Sequence, residues 1–357
     1  MMRVAVRDLV RWTVAVALSV AAGFVCSRVH TPIPWMLGPL FTLAALRVAG
    51  VDIAAPPGGR QIGQWIIGTS LGLYFTPLVV REVAGLWYLL VAGAAFAVVV
   101  GYVSGLALAR LAGLDRTTAV FASVPGGAAE MSVLGERFGA RVDRVAAAQS
   151  LRILIVVAIV PSVFAALDVH GADPYVPGTT IFDAGGFALL MAATLAGGAA
   201  AQRLRLPNAF VLGPLAVAIP LTASHVDLSA LPTVVSNTGQ VLIGCALGSR
   251  FQPDFLRGAH RFVTAVVVTV LFSIALSAAF GVTLAWLAGL HPATMVLGTA
   301  PGGIAEMCIT AKVLQLGVPL VTAFHVTRVV VLLLSTAPLF ERAKTWRAVR
   351  ATSRRAK

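Results

Sequence analysis

Two glutamates carry the most suggestive chemistry in this chain. Glu130 and Glu306 each stand three residues after a Pro-Gly-Gly step, in PGGAAEM (125–131) and PGGIAEM (301–307), inside otherwise apolar segments. Proline lacks a backbone N–H and clashes with the preceding helical turn. Two glycines add freedom to leave helical geometry. Pro125, Gly126 and Gly127, and likewise Pro301, Gly302 and Gly303, should therefore interrupt a helix. Carbonyls before each break and N–H groups after it lose their partners. Lipid satisfies neither, so such a break at depth must be covered by protein or line a watery cavity.

Each glutamate falls in the first turn of the helix that restarts after the break. It can cap that turn, aided by the positive end of the helix dipole. It can also pair with an arginine of the next helix, Glu130 with Arg152 and Glu306 with Arg328. An unpaired charge at the bilayer centre costs at least ~3 kcal/mol, so a partner is expected. Or it can hold a coupling cation or proton, or shape a substrate site. The freed N–H groups favour an anion, whereas an ionised glutamate favours a cation or amine, and the sequence leaves both open. Gln149 and His325 stand at equivalent positions one turn before the arginines. His325 can titrate near neutral pH or make a structural hydrogen bond. Gln64 and Gln240 are polar residues in apolar helices, suited to interhelical hydrogen bonding or to a central cavity. Gly68-x-x-x-Gly72 and Gly244-x-x-x-Gly248 read as close-packing faces, and Pro39 and Pro214 as kinks.

The elements that must position these residues are membrane helices. The 357 residues are 58% hydrophobic and 11% charged, with mean hydropathy +0.90, against about 25% charged in a soluble domain. Most of the chain falls into apolar blocks of bilayer-spanning length. The net charge of +13 does not imply nucleic acid, because it gathers before the first block (Arg3, Arg7, Arg11), after the last (Arg342 to Lys357) and in short loops. That is the mark of cytoplasmic flanks, and the tail suits anionic lipid headgroups. The basic start resembles a signal peptide, but an uncleaved first helix fits the many spans that follow. Cys26, Cys245 and Cys308 are far apart and form no framework. The six histidines (30, 170, 225, 260, 291 and 325) are scattered, which argues against a copper oxygenase. No cofactor, no metal and no enzymatic role are expected.

The chain is a duplication. At an offset of about 175, MLGPL (36–40) meets VLGPL (211–215), GQWIIGTSLGLYF meets GQVLIGCALGSRF, LAGL meets LAGL, and QSLR meets HVTR. Each half holds six apolar segments, near 9–29, 33–50, 61–76, 83–110, 117–137 and 145–167, and near 184–202, 207–223, 235–250, 262–288, 293–313 and 319–340. If the Pro-Gly-Gly segment makes no full crossing, each half crosses five times. Arg110, Arg116, Arg137, Arg141, Arg144, Arg203, Arg205, Arg250, Arg257 and Arg261 then lie inside with both termini, and the acidic linker lies outside, as the positive-inside rule requires. An odd count inverts the second half. The expected fold is thus an all-α polytopic membrane protein with an inverted-topology repeat, about ten full crossings and two interrupted or re-entrant helices. Its parts are a first repeat at 1–167, an external linker at 168–183, a second repeat at 184–340 and a basic cytoplasmic tail at 341–357. Interrupted helices at matching positions of two halves are the best pointer to a transporter's binding site.

The doubled PGG-x-x-EM segment, the LGP and GQ…G…LG stretches and the terminal arginine of each repeat resemble the AbrB-type membrane protein family, over roughly 12–340. That bacterial family is built from a duplicated domain and has been labelled both an ammonia monooxygenase and a regulator of gene expression. The fold it implies is similar to that of the cation–proton antiporter and bile-acid symporter superfamily, in which two broken helices cross at mid-membrane. The resemblance puts those helices at 125–131 and 301–307. The superfamily's antiporters often carry aspartates there, and this chain has none. The expected function is secondary transport of a small solute across the bacterial cytoplasmic membrane by alternating access. The alternative is a membrane sensor or regulator. Expected partners are a small-molecule or ion substrate and membrane lipid, with self-association into a homo-oligomer compatible and nucleic acid excluded.

Overall fold

A computed structural model describes residues 2–171, 175–251, 260–332 and 334–335, the side chains of 2–6 and 128–129 excepted. The basic tail after 335 and the centre of the linker lie outside the described residues, which are helical with no strand among them. The first half supplies α1 (Met2–Arg28), α2 (Pro34–Val48), α3 (Gly59–Gly72), α4 (Pro77–Gly85), α5 (Trp87–Ala112), α6 (Arg116–Ser123), α7 (Ala128–Arg137) and α8 (Val142–Ala166). The second supplies α9 (Ala184–Arg203), α10 (Ala209–Ala223), α11 (Thr233–Gly248), α12 (His260–Ala288), α13 (Pro292–Thr299), α14 (Ile304–Val313) and α15 (Val318–Leu332).

Five helices are long and apolar enough to cross a membrane: α1 over Arg7–Arg28, α5, α8, α9 and α12. At 1.5 Å per residue, the helices of 14 to 16 residues, α2, α3, α10 and α11, reach only about 21–24 Å against a hydrocarbon core of about 30 Å. The apolar stretch expected at 61–76 ends early. Thr76 caps a new helix by accepting the Val79 N–H at 3.5 Å, Pro77 opens it, and α4 leaves α3 at 92°.

The helices pack as two sets. One holds α1, α2 and α3 with α9, α10 and α11, and the other holds α5 to α8 with α12 to α15. In the first set, α2 packs along α11 and α10 along α3. The G-x-x-x-G faces make these contacts. A Cβ on Gly68 would meet the Val211 carbonyl oxygen at 2.8 Å, and one on Gly248 would meet the Leu43 Cβ at 3.0 Å. In the second set, Phe96 stacks on Phe280 at 3.8 Å and Ser104 Oγ bonds Ser273 Oγ at 2.8 Å. The partner number falls as the first rises, so α5 and α12 run antiparallel. The α3–α11 pair does the same, with Gly59 beside Leu242 and Ile66 beside Gly239.

One end of the molecule is basic. Asp52 pairs there with Arg7 at 2.8 Å and Arg47 at 3.7 Å, and also with Arg11. Arg47 Nε donates to the Phe251 carbonyl at 3.2 Å, and Arg261 Nε donates to that of Leu111 at 2.8 Å. The opposite end holds the linker, whose Gly171 and Gly178 N–H groups donate to Leu314 and Leu73 carbonyls.

Candidate functional site

Each Pro-Gly-Gly segment folds into a helical hairpin. Asp115 caps α6 by accepting the Thr118 N–H at 2.8 Å. After the break at 124–127, α7 returns, and the Arg141 N–H donates to Thr118 Oγ1 at 2.9 Å. The hairpin thus ends beside its own start, at the basic end. In the second half, the Gly317 N–H donates to Thr294 Oγ1 at 3.2 Å, which closes the α13–α14 hairpin at the linker end. The segments at 117–137 and 293–313 are therefore each two short helices.

The freed carbonyls are met by the helix that follows. Gln149 Nε2 donates to the Phe121 and Val124 carbonyls at 2.8 and 2.9 Å. Arg152 donates from Nη1 to Val124 at 3.0 Å and from Nη2 to Gly126 at 3.2 Å. In the second half, His325 Nε2 bonds the Leu297 carbonyl at 3.0 Å. Arg328 donates to Ala300 at 2.7 Å and Gly302 at 2.5 Å. All four side chains are at least 96% buried. The expected pairs Glu130–Arg152 and Glu306–Arg328 are not formed among the described residues. A fork of two N–H donors matches two carbonyls of a broken backbone as well as it matches a carboxylate, and those carbonyls were the more urgent need.

The glutamates instead fold back over their own helix starts. Gly127 and Gly303 are the N-cap residues of α7 and α14. A Cβ on either would meet the Glu130 or Glu306 carboxyl carbon at 2.6 or 2.8 Å. Glycine leaves that space to the carboxylate, which a larger residue would have to displace. Met131 and Met307, both buried, pack beneath Gly126 and Gly302. Glu130 also accepts the Asn208 N–H at 3.3 Å, which ties the first hairpin to the start of α10.

The two tips meet at one cavity of about 470 Å³, the part open to solvent included. It is lined by both Pro-Gly-Gly turns except Pro301, by Arg152, Arg328 and Glu306, and from the other helix set by Arg60, Gln64, Asn208 and Val211. Pro125 and Pro301 both line a separate small cavity, with Ser123, Ser273, Ser277 and Thr299. Gln149 and His325 stand one turn behind and do not line the cavity. Glu130 is beside it rather than in its wall. Sequence reasoning missed Arg60 and Asn208 as wall residues. Asn208 has a left-handed backbone (φ 46°) as N-cap of α10, and its place after Pro207 was a usable signal. Among the described residues no group of three His, Cys, Asp or Glu side chains has metal-binding proximity.

The cavity wall mixes charged and polar groups with the apolar side chains of Ile153, Val211, Ile304 and Val329. Three guanidinium groups face one carboxylate, and two helix N-termini add partial positive charge. It lies between the two helix sets, so their relative motion would change its shape.

Comparison with known proteins gives the lineage. A family model described as "Transition state regulatory protein AbrB" matches residues 35–344. The chain is 27% identical over 352 residues to "Uncharacterized protein YhjN" of Bacillus subtilis (strain 168), covering 91% of each chain. It is 24% identical over 336 residues to "Putative regulator AbrB" of Escherichia coli (strain K12), covering 94% of this chain and 96% of that one. No solved structure matches. A match over this much of the chain is decisive, and the protein belongs to the AbrB family.

Proposed function

We propose that this chain is a secondary transporter of a small solute, working by alternating access around the two opposed hairpins in the bacterial cytoplasmic membrane. One observation carries the reading: hairpins closed at opposite ends of the molecule bring their tips to a single polar cavity between two helix sets. Broken backbone at membrane depth is characteristic of transporter binding sites. The antiparallel α5–α12 and α3–α11 pairs support an inverted repeat, with α1, α2, α3, α5 and α8 crossing in the first half and α9, α10, α11, α12 and α15 in the second. The shorter helices of this set lie largely inside the bundle. The basic end is cytoplasmic on this reading, with both termini there. Trp87, Tyr88 and Trp286 are exposed and on this reading serve as the aromatic belt at the other interface.

The cavity walls from α3 and α10 lie at the basic end, so on this reading the tip cavity is the inner half of the route. Transport follows if the hairpin set rocks against the α1–α3 and α9–α11 set and re-opens the tips toward the linker end. Glu130 and Glu306 then bind the coupling ion or proton, or the solute itself. Arg152 and Arg328 are positioning residues that keep each tip folded. The reading gives the chain no enzymatic step. Flux of labelled solutes into proteoliposomes, wild type against Glu130→Gln and Glu306→Gln, tests it. Gradient-independent flux insensitive to both changes, across a broad panel, would remove it.

A second reading rests on the printed name of the Escherichia coli relative: a membrane regulator that alters gene expression. On the transporter reading that effect is indirect, through a solute that acts as a signal. A deletion strain with altered transcription and unaltered solute flux would favour regulation alone.

A further inference from the structure

A second cavity, about 670 Å³ with its open part, lies between the later turns of α3, the start of α11 and the end of α14. Its polar lining is Ser70, Thr233, Ser236, Asn237, Gln240 and Lys312. Its α11 wall corresponds in the repeat to the α3 wall of the tip cavity, since Gln240 stands 176 positions after Gln64, and Ser236 stands 176 after Arg60. The tip cavity reaches toward the basic end, and this one reaches toward the linker end. Its deepest wall residue on α14, Ile309, is one turn short of the tip glutamate Glu306.

Lys312 is the charge in this cavity. It is half-buried, in the last turn of α14. Its Nζ donates to Ser70 Oγ at 2.9 Å and stands 5.7 Å from the Tyr74 ring. Among the described residues it pairs with no carboxylate. Ser236 Oγ, in a residue 5% exposed, is buried with no hydrogen-bond partner. Among the described residues, a cation without a carboxylate partner and an orphan hydroxyl line one cavity. The tip cavity has the same sign, with Arg60, Arg152 and Arg328 against Glu306. Among the described residues, a cationic solute meets net positive charge in both cavities, even with Glu130 counted beside Glu306 at the tips. An anion finds a counter-charge in each.

We infer, resting on the transporter reading, that this cavity is the outer half of the solute route and takes a small organic anion. Lys312 supplies the counter-charge, and Ser236, Asn237 and Gln240 supply hydrogen-bonding groups. The carboxylate and phosphate forms of that chemistry are told apart by competition.

The test uses full-length protein in which Cys26, Cys245 and Cys308 are replaced, carrying Asn237→Cys on the half-buried wall of the cavity. It compares labelling from outside by the anionic thiol reagent methanethiosulfonate ethylsulfonate and its cationic trimethylammonium analogue. A unit positive charge within several ångströms should favour the anionic reagent about tenfold, relative to Val234→Cys, which is 75% exposed at the same end. Lys312→Gln should abolish the preference and Lys312→Arg should keep it. Succinate or inorganic phosphate should slow labelling, and choline should not. Thr233→Cys, exposed on the same wall, repeats the measurement should Asn237→Cys fold poorly. Equal or faster cationic labelling, indifference to Lys312→Gln, or labelling only from the cytoplasmic side would overturn the inference. The assay needs no flux. A protein that moves no solute, yet is protected by succinate with a Lys312-dependent charge preference, would remove the transporter reading and leave the anion site standing.

Discussion

Arg152 and Arg328, 176 positions apart, make the same pair of bonds: each guanidinium bridges the carbonyl before a proline and the carbonyl of the glycine after it. Two breaks that would otherwise expose backbone to lipid are thereby closed from within the protein. The arginines are what allow a proline-glycine turn to persist at the centre of the molecule.

Arg328→Gln should therefore destabilise the protein more than Arg152→Gln. The Arg328 bonds are the shorter, at 2.7 and 2.5 Å against 3.0 and 3.2 Å. A buried carbonyl left alone costs about 1–3 kcal/mol. Lysine, a single point donor, should rescue little. Thermal unfolding in detergent measures the order.

Gln149 and His325 offer reciprocal controls. Both donate to the carbonyl at the matching position of the broken helix, Phe121 or Leu297. His325→Gln should keep the fold nearly as stable as wild type, while His325→Leu orphans that carbonyl and lowers stability by about 1–3 kcal/mol. Equal losses for the two changes would contradict the hydrogen-bonding role.

Gly303→Ala should be destabilising to the extent that its Cβ, 2.8 Å from the Glu306 carboxyl carbon, displaces the flexible end of that side chain. Adding Glu306→Ala should recover most of the loss, giving a coupling of about 0.5–3 kcal/mol in a double-mutant cycle. Additive losses would mean that the glutamate does not occupy that space. The Gly127–Glu130 pair should behave alike.

The Asp52 cluster gives a pH signature. The hydrogen bond from Arg7, helped by the fields of Arg11, Arg7 and Arg47, holds the Asp52 carboxyl below its usual value. A depressed pKa contributes stability above the unfolded value near 3.8, lost as pH falls through the folded one. Asp52→Asn should lower stability equally from pH 5 to 8, and the difference should vanish on acidification below pH 3.8. Because the cluster is exposed, high salt should shrink the difference. A difference that grows in acid would contradict the assignment.

Much of this arrangement was legible from residue types. Pro125 and Pro301 fixed where the helices break, and the match of QSLR to HVTR brought Arg152 and Arg328 to equivalent stations. The partners of those arginines were not legible. Charge pairing points a guanidinium at a nearby glutamate, but the stronger demand came from backbone carbonyls, which no side-chain pattern displays. The methionine of each PGG-x-x-EM segment was visible, yet its packing under the middle glycine is a tertiary fact. The turn from α3 into α4 had a signal, Thr76-Pro77, masked by the apolar run around it. Arg60, Asn208 and Lys312 enter the two cavities only because helices distant in sequence pack together.

The central claim is that the two hairpins enter from opposite sides of the membrane. Arg137 and Val313 stand 176 positions apart at the exposed ends of α7 and α14. With the native cysteines replaced, Arg137→Cys and Val313→Cys can each be labelled in sealed, oriented vesicles by a membrane-impermeant thiol reagent. The account predicts that Arg137→Cys reacts only from the cytoplasmic side and Val313→Cys only from the outside. Reaction of both from the same side would contradict it.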